Sequence, residues 1–119
     1  MAKDLSPVRR RLLERQARLL VALPPAAEVL RGSLFVRTLR CGTPTCRCAK
    51  GPGHRVTYVS VTHPSGKTEQ LSLPAAVVPT VRRWTANYRS WKQGLEAISA
   101  VNRDLIRLDR QAAREAEKG

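Results

Sequence analysis

At 119 residues and a net charge of +13, the chain has the length of one domain and is strongly basic. A chain of this size buries only about two-thirds of its unfolded surface, and its five aromatic residues allow a modest core that gains from a staple or a partner. Self-repulsion on this scale calls for counter-charge from outside, which points to nucleic acid or an anionic surface; a merely soluble basic protein is the plainer alternative.

Membrane insertion is not expected, because no apolar run approaches the roughly 20 residues needed to span a bilayer. The charged N-terminus lacks the apolar stretch of a signal peptide. Three cysteines cannot all pair within one chain, so a reducing cytoplasm is the expected location.

In chain order, residues 1–30 read as a basic helix and a Pro-containing linker. The helix runs from Ser6-Pro7 to about Leu23, with Ser6 as N-cap and Pro7 at the first helical position. Pro24-Pro25 ends it. Residues 31–74 read as a β-domain whose first strand, SLFVRTLR (33–40), leads into Cys41. VTYVSVT (56–62) and TEQLSL (68–73) flank HPSGK, a hairpin signal. Alternation puts Val59, Val61, Leu71 and Leu73 on one face and Thr68, Gln70 and Ser72 on the other.

Residues 75–119 read as a long helix. Val77, Val81, Trp84, Tyr88, Trp91, Leu95, Ile98, Asn102 and Leu105 alternate spacings of four and three, a heptad seam. Pro79 is tolerable near the start, and Gly94 is a mild internal cost. The first part of this helix can cover the sheet. The rest packs either on the N-terminal helix or on a partner, with Leu95, Ile98, Asn102 and Leu105 as candidate oligomerisation residues. The expected fold class is therefore α+β: an N-terminal helix, a three-stranded antiparallel sheet and a long C-terminal helix.

All three cysteines and one of the two histidines fall in CGTPTCRCAKGPGH, residues 41–54. Structural zinc takes four soft or borderline ligands in a tetrahedron, and Cys41, Cys46, Cys48 and His54 supply a Cys3His set. Gly42, Pro44, Gly51, Pro52 and Gly53 allow the bends needed to wrap one ion. A disulfide leaves an odd thiol. A reactive cysteine beside His54, with Arg47 and Lys50 lowering thiol pKa values, is a further alternative. His63, at the hairpin turn before Pro64, is the weaker ligand candidate.

The charge is centred on this loop. No acidic residue occurs between Val29 and Thr68, whereas Arg31, Arg37, Arg40, Arg47, Lys50, Arg55 and Lys67 all do. Beyond Glu69, a second acid-free stretch from Gln70 to Leu95 adds Arg82, Arg83, Arg89 and Lys92. Arginine forks match phosphate oxygens, so Arg37, Arg40, Arg47, Lys50, Arg55, Lys67, Arg82 and Arg83 are the candidate nucleic-acid contacts. A solvated basic face is the plainer reading of any one of them. Tyr58 could stack on a base, but so few free aromatics do not support a single-strand stacking platform.

RGSLFVRTLRCGTPTCRCAKGPGH, followed by YVSV, GKT and VRRWTANYRSW, resembles a family of small uncharacterised bacterial and archaeal proteins. The shared pattern is an RGS strand, a CG-x-P-x-CRCA loop with a downstream histidine, a hairpin and an RRW…NYR helix. It covers about residues 31–92. Arg55-Val56-Thr57-Tyr58 departs from the family's usual turn after the histidine. The resemblance implies a zinc knuckle and an accessory role near mobile elements.

The expectation is a nucleic-acid-binding accessory or regulatory protein, with duplex DNA favoured over RNA and one structural Zn2+. RNA or ribonucleoprotein binding is one alternative. Another is an assembly module that binds a protein partner, or a second copy, through the coiled-coil helix and the knuckle. An enzyme is not expected: there is no Ser/His/Asp set, phosphate-cradling glycine loop or evident carboxylate pair.

Overall fold

A computed structural model describes residues 4–40, 42–45, 51 and 53–118. The elements are α1 (Ser6–Val21), β1 (Ser33–Leu39), β2 (His54–Thr62), β3 (Thr68–Leu73) and α2 (Val78–Lys118). This is the α+β order that the sequence predicts. The chain divides into two units: residues 27–89 form one, and residues 1–26 with 90–119 form the other, the division falling within α2.

The first unit is built on an antiparallel sheet of order β1-β2-β3. Leu34 faces Val59 and Val36 faces Thr57 across β1 and β2, while Val59 faces Leu71 and Thr57 faces Leu73 across β2 and β3. Residues opposite each other share a face, so the expected apolar set Val59, Val61, Leu71 and Leu73 does lie together. Thr68, Gln70 and Ser72 share the other face with Phe35 and Tyr58. The apolar face is the one towards the start of α2: Val59 and Val81 are buried, as is Thr85, whose hydroxyl donates to the Arg82 carbonyl at 3.0 Å. Residues 28–30 are tied to the same helix. The Leu30 N–H donates to the Trp84 carbonyl at 3.1 Å, and the Asn87 side chain donates to the Glu28 carbonyl at 2.8 Å.

The β2–β3 turn closes by two bonds, from the His63 N–H to the Lys67 carbonyl at 2.7 Å and from the Gly66 N–H to the His63 carbonyl at 2.8 Å. Gly66 sits at φ 91°, where a side chain is strained, although open space surrounds it. Gly66→Ala is therefore expected to lower unfolding stability by about 1–2 kcal/mol through backbone strain alone. Denaturant unfolding of the two proteins measures it.

In the second unit α1 and the later part of α2 run antiparallel. The Trp91 indole N–H donates to the Pro24 carbonyl at 2.9 Å, Gln16 donates to the Asn102 side-chain oxygen at 2.7 Å, and Arg9 pairs with Asp109. The Leu23 side chain sits over Gly94, where a Cβ would collide with it. What looks in sequence like a helix weakness is thus a seat for a neighbouring side chain. Val101 and Leu105 are buried between these pairings.

Two expectations are corrected here. Helix α1 begins at Ser6 itself, with Leu5 at the N-cap, and the Ser6 N–H donates to the Asp4 carboxylate at 3.0 Å. That backbone bond, helped by the Ser6 side chain, holds the exposed Asp4 carboxyl below its ordinary range. A lowered folded value makes this support present at neutral pH and lost as pH falls through it. The helix also ends at Val21, two residues before Leu23. No described helix is long and apolar enough to cross a membrane.

Candidate functional site

The cysteine loop is closed by strand pairing. Leu39, the last residue of β1, is registered with His54, the first of β2, so residues 40–53 form the connection. Gly53 lets that connection press on β1: a Cβ there would lie 2.6 Å from the Leu39 carbonyl oxygen. Of the expected zinc ligands, His54 is exposed at the start of β2. Cys41, Cys46 and Cys48 lie outside the described residues, as do Arg47 and Lys50. Among the described residues, no three His, Cys, Asp or Glu side chains converge as a metal site.

The described basic residues sort into separate places. Arg55 from β2 and Arg82 and Arg83 from α2 line one open groove of about 760 Å3, together with Thr57, Leu73 and Pro79. Sheet and helix thus bring Arg55 together with the adjacent pair Arg82 and Arg83, far from it in sequence. Among the described residues, no acidic side chain lines the groove. The nearest compensation is Glu28, 3.8 Å from the Arg83 guanidinium in a solvent-exposed pair, and such a pair is worth about 0–1 kcal/mol. Helix α2 starts at Val78 with no acidic residue in its first turn, so the positive end of its dipole adds to the same field.

Arg37 lies on the opposite face of the sheet. Phe35 and Tyr58, directly opposed across β1 and β2, stack with ring centroids 5.3 Å apart and planes 11° from parallel. The Arg37 guanidinium carbon is 5.5 Å from the Phe35 centroid and 5.4 Å from that of Tyr58, within cation–π range. Sequence reasoning missed this cluster because it set Tyr58 aside for want of free aromatics without pairing it with Phe35. The available signal was register: Phe35 and Arg37 alternate on one strand, and pairing Leu39 with His54 puts Tyr58 beside both.

Lys67 does not join these groups. It lies in the hairpin turn, and β2 separates that end of the sheet from Arg55 by about 25 Å at 3.3–3.4 Å per residue. His63 is at the same end, 2.8 Å from Glu69 across the turn. Arg40 follows β1 and has interaction partners of its own. Arg31, not among the expected contacts, donates to the Thr62 carbonyl.

The four candidate oligomerisation residues split between two faces of α2. Leu105 is buried and Ile98 half-buried, whereas Leu95 is 55% exposed and Asn102 is exposed with its amide on Gln16. Burial passes through Val101, three residues after Ile98 and four before Leu105, instead of through Asn102. The 98, 101, 105 spacing is apolar throughout and avoids burying an amide.

No curated protein and no solved structure matches the chain. One family model does, over residues 2–83, a span that takes in α1, the whole sheet and the start of α2 as far as Arg82 and Arg83. With more than half of its length inside that match, the chain belongs to the family described as Domain of unknown function (DUF6788).

Proposed function

We propose that this protein binds nucleic acid, duplex DNA in preference to RNA, as an accessory or regulatory factor of DNA transactions such as those of mobile elements. The observation that carries the reading is the acid-free groove where Arg55, Arg82 and Arg83 meet the positive end of α2. Three guanidinium groups on the edge of one rigid sheet and one helix suit a run of phosphates, because each fork matches phosphate oxygens. Arg47 and Lys50, between Leu39 and His54 in sequence, are the further basic residues proposed to contact phosphate. Binding of duplex DNA should weaken steeply between 50 and 200 mM salt, since each phosphate contact releases counterions. Absence of binding near 50 mM salt removes the reading.

Cys41, Cys46, Cys48 and His54 would hold one Zn2+ as a structural ion. Four protein ligands leave no open position for water, so the ion would supply folding energy and not catalysis. What supports this is the donor set, together with a sparse core: among the described residues, the buried apolar side chains are Val59, Val81, Val101 and Leu105. A small domain with few buried side chains gains from a staple that fixes a long connection.

A second reading, an assembly module, is favoured by one observation. Leu95 and Ile106 are 55% and 65% exposed and lie on the same stripe of α2, eleven residues apart. If a second copy covers that stripe, sedimentation of the wild type shows a concentration-dependent dimer, and Leu95→Glu gives a monomer with DNA affinity per chain retained. A wild type that stays monomeric at high concentration leaves the stripe as ordinary surface.

A further inference from the structure

We infer that the sheet face opposite α2 holds an unpaired nucleobase against the Phe35–Tyr58 stack, so that the protein contacts single-stranded as well as duplex nucleic acid. The inference rests on the nucleic-acid reading and names what this face would recognise. An aromatic pair on a strand usually seeds a core; here its apolar neighbours on the same face are Val56 and Leu39, both on the side away from the hairpin. The residues that share its face towards the hairpin are Ser33, Ser60, Gln70, Ser72, Thr62 and Thr68, short or polar and, apart from half-buried Ser60, exposed.

Phe35 and Tyr58 are both half-buried, and the strand neighbours at either end of the stack are slight. Tyr58 is registered with Ser72 on β3, so its cross-strand neighbour on that side is a small hydroxyl side chain. Phe35 is on β1, an edge strand. A base continuing the stack over Tyr58 would find the Ser72 and Gln70 side chains at its edge. Every base offers a π-face, so such a site tolerates sequence and selects for unpairedness, because a base within a duplex is already stacked on both sides.

Charge selects the class of occupant. Arg37 is exposed and lies alongside both rings, where it can meet the phosphate of the nucleotide whose base is stacked. No Asp or Glu falls on this face, since Glu69 is registered with Val61 on the other one. An aromatic pair flanked by a guanidinium and short hydroxyls, on a chain of net charge +13, complements a nucleotide strand better than an apolar protein segment.

The test compares a single-stranded oligonucleotide carrying 2-aminopurine with an abasic strand of equal length and charge. Wild-type protein is expected to quench 2-aminopurine fluorescence and to bind the base-containing strand about 5- to 150-fold more tightly than the abasic one. Tyr58→Val, which keeps a strand-forming side chain, should abolish the quench and the preference while leaving the salt slope unchanged. Equal binding of the two strands by the wild type overturns the inference with no variant needed. So does a Tyr58→Val protein that still quenches. Failure to bind either strand at 50 mM salt, with duplex bound, overturns the inference alone; failure to bind duplex as well removes the underlying reading.

Discussion

Stripping zinc with a chelator, or replacing Cys46 with serine, is expected to unfold the β1–β2 connection and lower the melting temperature sharply. Structural zinc in small peptides contributes apparent binding energy on the order of 10 kcal/mol, comparable with the whole stability of an ordinary domain. Here little else stands behind it. Val59 is the sheet's fully buried apolar side chain among the described residues, and strand pairing stops at Leu39 and resumes at His54. The histidines give an internal contrast. His54→Ala removes a proposed ligand and should weaken metal retention. His63→Ala removes only an exposed pairing with Glu69 at the far end of the sheet and should cost no more than about 1 kcal/mol. Metal analysis of the purified protein should return about one zinc per chain. No zinc, together with three thiols that alkylate freely in the folded protein, would sink the assignment and leave the groove reading intact.

How much of this was legible from residues alone depends on whether the signal was local. The β2–β3 hairpin was, because Pro64, Ser65 and Gly66 carry their own turn chemistry and the flanking alternation fixes the faces. The long helix was also legible, since Pro74 and Pro79 bracket its start and the apolar spacing persists beyond it. Its exposed and buried stripes were not. Val101 and Asn102 offer two seams one residue apart, and the choice depends on what α1 presents to each: Gln16 takes the amide, leaving Val101 to be buried. The start of α1 was misplaced because Ser6 is a good N-cap by type, yet Asp4 serves the Ser6 N–H from two residues earlier.

The basic cluster shows the same limit at the candidate site. In sequence two acid-free stretches, separated only by Glu69, make their cations look equivalent. The sheet divides them by strand parity and by end: Arg55 turns towards α2, Arg37 towards the other face, and Lys67 is carried to the opposite end. Which of them work together depends on strand register, set by the Leu39–His54 pairing across a connection whose length no local motif reveals.

Replacing Arg55, Arg82 and Arg83 together with alanine is expected to lower affinity for duplex DNA about 500-fold at 0.1 M salt. On duplex DNA each neutralised phosphate contributes about −0.9 to the slope of log affinity against log salt, so losing three contacts flattens the slope by about 2.7 units. Arg47→Ala with Lys50→Ala should flatten it by roughly two units, affecting all sequences alike, because phosphate contacts carry no base information. Lys67→Ala, at the far end of the sheet, should leave the groove's share of the slope in place. Stability is not the confounder, since all three arginines are exposed and, among the described residues, the acidic partner they have is Glu28, 3.8 Å from Arg83. Such surface changes fall within about 0.5–1 kcal/mol, which a thermal melt of each variant verifies. A titration over 50–200 mM salt separates the outcomes. A triple variant with the wild-type slope places the phosphate contacts elsewhere, whereas parallel slopes with a uniform offset point to a packing change instead of lost ion contacts.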